Sequence, residues 1–196
     1  MYDTLGRTKV ETLFTSFFLV FASEMGDKSQ LMSIAFASLF KARTVLVSVL
    51  IAALINNGIA VLFGSYMGEH IPNFYIKFLA ALLFLFFGVF SLSHKESENG
   101  KIITSHYPPL LTIIITYVLS EFGDKTQLTT IALTASYRQP FYILLGTTLG
   151  MFMADVIGII IGSYFNKKIS HNYLKYISSA VFIAFAFSLL YKLFYK

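Results

Sequence analysis

The chain has no cysteine and only four prolines in 196 residues, and charged residues make up only 13% of it. Without cysteine there is no disulfide scaffold, no thiolate zinc site and no cysteine nucleophile. With so few prolines and a single strongly polar stretch there is no long disordered tail. The shortage of charge excludes more. Soluble domains are roughly 25% charged. So few charges cannot coat a water-facing surface or a nucleic-acid-binding face, even at a formal net charge of +5. Hydrophobic residues make up 56%, aromatics 17%, and mean hydropathy is +0.70. Such a chain faces lipid over most of its surface, and its 10 acids have to be explained.

Six apolar runs approach the roughly 20 residues that cross about 30 Å of hydrocarbon. They cover about 12–40, 44–67, 73–93, 109–137, 140–164 and 173–194. They are continuous rather than alternating, which argues against a strand barrel. Backbone in lipid must bond to itself, so the expected fold is an all-α integral membrane protein of six transmembrane helices. The first run is too long for a cleavable leader and carries a charged motif. Basic residues divide seven against six between the two sides, with a slight lean toward both termini outside.

The chain repeats itself. Residues 23–35 read SEMGDKSQLMSIA and residues 120–132 read SEFGDKTQLTTIA, nine of thirteen identical at an offset of 97. Gly64-Ser65-Tyr66 and Gly162-Ser163-Tyr164 echo each other at 98. The halves are 1–97 and 98–196, with three spans each. Three is odd, so the second copy enters the membrane from the opposite side. That makes two inverted-topology three-helix repeats, an architecture with its site at the midplane.

Both motifs fall near the bilayer centre, where each ionised carboxylate costs at least a few kcal/mol unless paired or hydrated. Glu24 and Asp27 are spaced to share a helical face, as are Glu121 and Asp124. Lys28 and Lys125 are spaced to pair with Glu24 and Glu121, which leaves the two aspartates for a cation. Gln30 and Gln127 extend the polar stripe, and Ser29 and Thr126 keep a hydroxyl in both copies. Gly26 and Gly123 are expected to admit a neighbouring helix or to break the span. Gly58, Gly64, Gly146, Gly150, Gly158 and Gly162 are expected to pack helices. Asp155, in the fifth span, falls opposite Asn57 at the repeat offset and is expected to serve as auxiliary ligand or proton carrier. His70, His94, His106 and His171 all fall in predicted loops, so the donors are oxygens, which suit Ca²⁺, Mn²⁺ or Mg²⁺. A low-dielectric site favours the neutral form of a carboxylic acid, so the same groups can hold protons and metal in turn.

The paired motif E-x-G-D-[KR]-[ST] reads Glu24-Met25-Gly26-Asp27-Lys28-Ser29 and Glu121-Phe122-Gly123-Asp124-Lys125-Thr126. In a six-span, two-repeat chain it resembles the Golgi and bacterial manganese/calcium transporters of the lysine-exporter superfamily. The resemblance implies secondary active transport of Mn²⁺ or Ca²⁺ in exchange for H⁺, with Glu24, Asp27, Glu121 and Asp124 as the metal site. It implies no tightly bound cofactor and no enzymatic activity. Without an N-terminal extension or a long central loop, the chain looks like a bacterial member, a manganese exporter of the cytoplasmic membrane. Met151 and Ala154-Asp155 stand where some members carry a histidine and a Cys-Thr pair. Export of a cationic amino acid is the alternative. An intramembrane enzyme and a structural subunit fit the doubled motif less well. The metal ion and the lipid bilayer are the expected partners, with a homodimer left open.

Overall fold

The computed structural model describes residues 9–93, 107–164 and 171–194. Among them there are eight helices and no strand: α1 (Lys9–Glu24), α2 (Lys28–Leu39), α3 (Ala42–His70), α4 (Asn73–Ser93), α5 (Pro109–Glu121), α6 (Lys125–Tyr137), α7 (Pro140–Tyr164) and α8 (His171–Phe194). The expected first and fourth spans are therefore each two half-helices, α1–α2 and α5–α6. Three helical stretches, Ala42–His70, Asn73–Phe90 and Pro140–Ile160, are long and apolar enough to cross a membrane. His70 ends α3 and His171 begins α8, so neither is the loop residue expected. His94, His106, the acids Glu96 and Glu98, and Tyr195 lie outside the described residues.

The breaks have one cause. Gly26 and Gly123 hold φ of +83° and +78°, the left-handed region where a Cβ is costly. Asp27 and Asp124 follow in extended conformation as the N-caps of α2 and α6. Three residues on, the side chain of Gln30 accepts from Gly26 N–H (2.9 Å), and that of Gln127 from Gly123 N–H (2.7 Å). This is the back-reaching half of a capping box, displaced by one residue. The glycines are thus turn residues and not packing residues: a Cβ on Gly123 would meet nothing within 4 Å.

The half-helices sort by end. Leu19 of α1 and Leu133 and Tyr137 of α6 share an apolar cluster with α4 and α8, where Phe84 stacks on Phe182 at 6.1 Å. Met32 and Phe36 of α2 share another with Ile113 and Tyr117 of α5. α3 and α7 contribute to both clusters. The two breaks therefore meet in the middle, between two apolar plugs. Gly150 lets α7 approach α1 closely, since a Cβ there would lie 2.6 Å from the Phe17 carbonyl oxygen. Gly64 does the same for α3 against α6, at 2.6 Å from the Ile131 carbonyl. Gly58 faces open space, contrary to its expected packing role. The distribution is inverted relative to a water-soluble protein: Phe14, Phe18, Leu62, Phe63 and Phe187 are exposed, while Glu24, Asp27, Glu121 and Asp155 are buried.

Candidate metal centre

Each break places a glutamate at the end of one half-helix and an aspartate at the cap of the next. Asp27 N–H donates to the Glu24 carbonyl (3.1 Å) and Asp124 N–H to the Glu121 carbonyl (3.2 Å), which folds each pair into a tight turn. The N–H groups at the starts of α2 and α6 make that turn favourable for negative charge, and in α2 Lys28 N–H donates to Asp27 Oδ1 at 2.7 Å. Where the two turns face each other, carboxylate oxygens of Glu24, Glu121 and Asp124 all lie within 4.8 Å of one another.

The expected Glu24–Lys28 and Glu121–Lys125 pairs give way to pairs across the two motifs. Lys28 Nζ lies 3.3 Å from Asp124 Oδ1 and donates to the Ser120 carbonyl at 2.8 Å. Lys125 Nζ lies 2.6 Å from Asp27 Oδ2. The i,i+4 rule fails because the helix ends between the two residues: Glu24 closes α1 and Lys28 opens α2. For the same reason Glu24 and Asp27 do not share a helical face.

The hydroxyls serve one glutamate. Ser29 Oγ donates to Glu24 Oε2 at 2.6 Å, and the Thr126 hydroxyl donates to Glu24 Oε1 across the two motifs. Glu121 is 2% exposed with neither carboxylate oxygen hydrogen-bonded. A buried carboxylate without a donor is costly, so such a group calls for a cation or a proton. Gln30 Nε2 donates to the Ala154 carbonyl on α7 at 2.8 Å, whereas Gln127 Nε2 has no partner.

Asp155 stands apart from the carboxylate cluster. Its Oδ1 accepts from Ser33 Oγ at 2.9 Å and lies 3.3 Å from the Tyr117 hydroxyl. That hydroxyl also contacts Ser33 and lies 2.7 Å from the Ser29 carbonyl. Asn57 occupies the matching place on α3, its Oδ1 accepting from Thr130 at 2.9 Å. Sequence reasoning missed Ser33, Thr130 and Tyr117. The first two were legible, since both fall inside the repeated thirteen residues and keep a hydroxyl. Tyr117 has Val20 at its repeat position, and only its polar atom in mid-span marks it. The capping spacing Asp27-x-x-Gln30 and Asp124-x-x-Gln127 was a readable helix-start signal too.

The sequence matches the family described as divalent cation/proton antiporter GDT1 over residues 12–99 and again over 109–196. The chain is 27% identical over 166 residues to a Vibrio cholerae serotype O1 protein named "Putative manganese exporter", covering 84% of this chain and 82% of that one. It is 28% identical over 198 residues to GDT1-like protein sll0615 of Synechocystis, covering 89% and 95%. It is also 28% identical over 219 residues to the chloroplastic GDT1-like protein 1 of Oryza sativa subsp. indica, covering 95% of this chain and 64% of that one. No solved structure matches the chain. With both motifs in place and the match running over each half in turn, the chain belongs to the GDT1 family of divalent cation/proton antiporters.

Proposed function

We propose that this chain exports a divalent cation, Mn²⁺ foremost and Ca²⁺ next, in exchange for protons, across a bacterial cytoplasmic membrane. Six spans in two inverted three-helix repeats carry the exchange, and Glu24, Asp27, Glu121 and Asp124 supply the cation's ligands. The observation that carries this reading is the meeting of Glu24, Glu121 and Asp124 within 4.8 Å, with both oxygens of buried Glu121 free. Oxygen donors at that spacing suit a hard cation.

Charge supports the valence. Asp27 and Lys125 neutralise each other at 2.6 Å. Three carboxylates and Lys28 remain, a sum of −2 when all are ionised. One divalent cation or two protons brings that sum to zero, so exchange of one for the other leaves the midplane neutral in both loaded forms. The cation is cargo rather than a resident cofactor. Asp155, held by hydroxyls at Oδ1, with Oδ2 unbonded, and outside the carboxylate cluster, serves as a proton carrier rather than a ligand.

Purified protein in proteoliposomes under an imposed pH gradient, offered Mn²⁺, Ca²⁺ and Mg²⁺ in turn, tests the reading. Mn²⁺ should move against the proton gradient, and Glu24→Gln and Glu121→Gln should each stop it. Flux of none of the three ions, or full flux in both variants, rules the reading out.

A further inference from the structure

The two motifs are nearly identical in sequence yet are held differently, and the differences all run one way. The same two hydroxyls, Ser29 and Thr126, both donate to Glu24, and neither donates to Glu121. At the repeat offset of 97 these hydroxyls are each other's counterparts, as are the two glutamates. Gln30 is clamped to α7 through the Ala154 carbonyl, while Gln127 Nε2 is free; the matching position on α3 is Asn56, whose side-chain amide is also unpartnered. The Asp27 side chain is 4% exposed and pairs with Lys125 at 2.6 Å. The Asp124 side chain is 22% exposed, its contact with Lys28 is longer at 3.3 Å, and it makes no cap bond, whereas Asp27 Oδ1 accepts from Lys28 N–H at 2.7 Å. Only Asp124 of the two aspartates joins the cluster with the glutamates.

Two like halves in unlike surroundings mean that the molecule occupies one of two related arrangements. The other follows by exchanging the halves' roles, and both draw on the same residue types. Building on the cation-exchange reading above, we propose that the site has a changing third ligand. Glu24 and Glu121 stay in it throughout, Asp124 completes it in the arrangement described here, and Asp27 completes it in the opposite-facing one. In that second arrangement Ser29 and Thr126 move together from Glu24 to Glu121, and Gln127 takes the Asn56 carbonyl. Asp124 then closes onto Lys28 as Asp27 now closes onto Lys125. Each lysine thereby holds whichever aspartate is out of use, and the cation passes from one aspartate to the other without leaving the glutamate pair.

The absence of native cysteine makes the exchange measurable without any metal. The Asp124 side chain is 22% exposed and that of Asp27 4%, so the two positions report the exchange through a membrane-impermeant thiol reagent. In proteoliposomes of fixed orientation, Asp124→Cys should be labelled from one face and Asp27→Cys from the opposite face only. Labelling of both from the same face, or of Asp27→Cys from neither, overturns the alternation whether or not Mn²⁺ is the cargo. Unlabelled protein gives a second reading in proteoliposomes of fixed orientation, with Mn²⁺ as probe. Asp124→Asn should raise the half-saturating Mn²⁺ at least tenfold at one face and less than twofold at the other, and Asp27→Asn should do the reverse. Equal rises at both faces for both variants overturn the proposal. No Mn²⁺ flux in the unsubstituted protein speaks against the cation reading alone, and the thiol labelling then decides the alternation.

Discussion

The first motif is closed and the second open, although nine of thirteen residues are the same. Glu24 takes two hydroxyls and Glu121 takes none. Asp27 is buried under Lys125, and Asp124 is partly exposed. Sequence identity thus sets which groups are available, and conformation sets which of them are in use. The contrast teaches that two like motifs, meeting between two apolar plugs, are held in unequal surroundings.

The comparison breaks first at the glutamates. Glu24→Gln and Glu121→Gln should each lower cation flux by about 100-fold or more, since each removes a charge that only the ion or a proton balances. They should differ in stability. Glutamine at 24 keeps one oxygen to accept from Ser29 or Thr126 and turns its amide N–H to the other hydroxyl, whereas at 121 it fills a place without protein partners and relieves an unpaired buried charge. Thermal unfolding in detergent should rank Glu121→Gln the more stable of the two; the reverse order would contradict the assignment of partners.

Next come the hinges. Gly26→Ala and Gly123→Ala each force a Cβ into the left-handed region at a cost of roughly 1–2 kcal/mol, with about a tenfold loss of flux as the turn is distorted. Alanine at 123 meets no neighbour, so its whole effect is backbone strain. Wild-type flux in both variants would show that the breaks do not need a positive φ.

A smaller effect is expected at Asp155. Asp155→Asn makes α7 resemble α3, where Asn57 already accepts from Thr130. Mn²⁺ affinity should stay within about twofold, while the rise in flux with the pH gradient falls several-fold. The sign follows from exchange: acidifying the loading face places protons on the carboxylates and weakens cation capture there, and acidifying the release face speeds discharge. A large loss of Mn²⁺ affinity in Asp155→Asn would instead make it a ligand.

The smallest effect separates two glycines. Gly150→Ala should destabilise by about 1–3 kcal/mol, because its Cβ would press on the Phe17 backbone at 2.6 Å. Gly58→Ala meets open space and should be neutral or slightly stabilising. Equal unfolding temperatures for the two would contradict the close contact of α7 with α1.

Much of this was legible beforehand. The apolar runs fall where the helices lie, although the first and fourth runs each hold two half-helices, and both copies of the repeated motif fall at a helix break. Reading stopped at the breaks, because helical periodicity says nothing across a residue that leaves the helix. That is why Lys28 was matched to Glu24 on spacing, when it reaches Asp124 instead. The unequal use of Ser29 and Thr126 was hidden for a different reason: a repeat in sequence carries no record of which half is engaged. Ser33 and Thr130 lay inside the repeated thirteen residues, but a hydroxyl without a neighbouring charge in sequence carries no mark of the Asp155 or Asn57 it meets in space.

The central claim is that a divalent cation and protons exchange through the midplane carboxylates with charge in balance. Simultaneous recording of Mn²⁺ entry and luminal pH in proteoliposomes, with the membrane potential clamped at several values, tests it most directly. The account predicts two protons leaving per Mn²⁺ entering, at a rate independent of potential and absent in Glu121→Gln. Mn²⁺ entry with no change in luminal pH, or the same proton movement in Glu121→Gln, would contradict it.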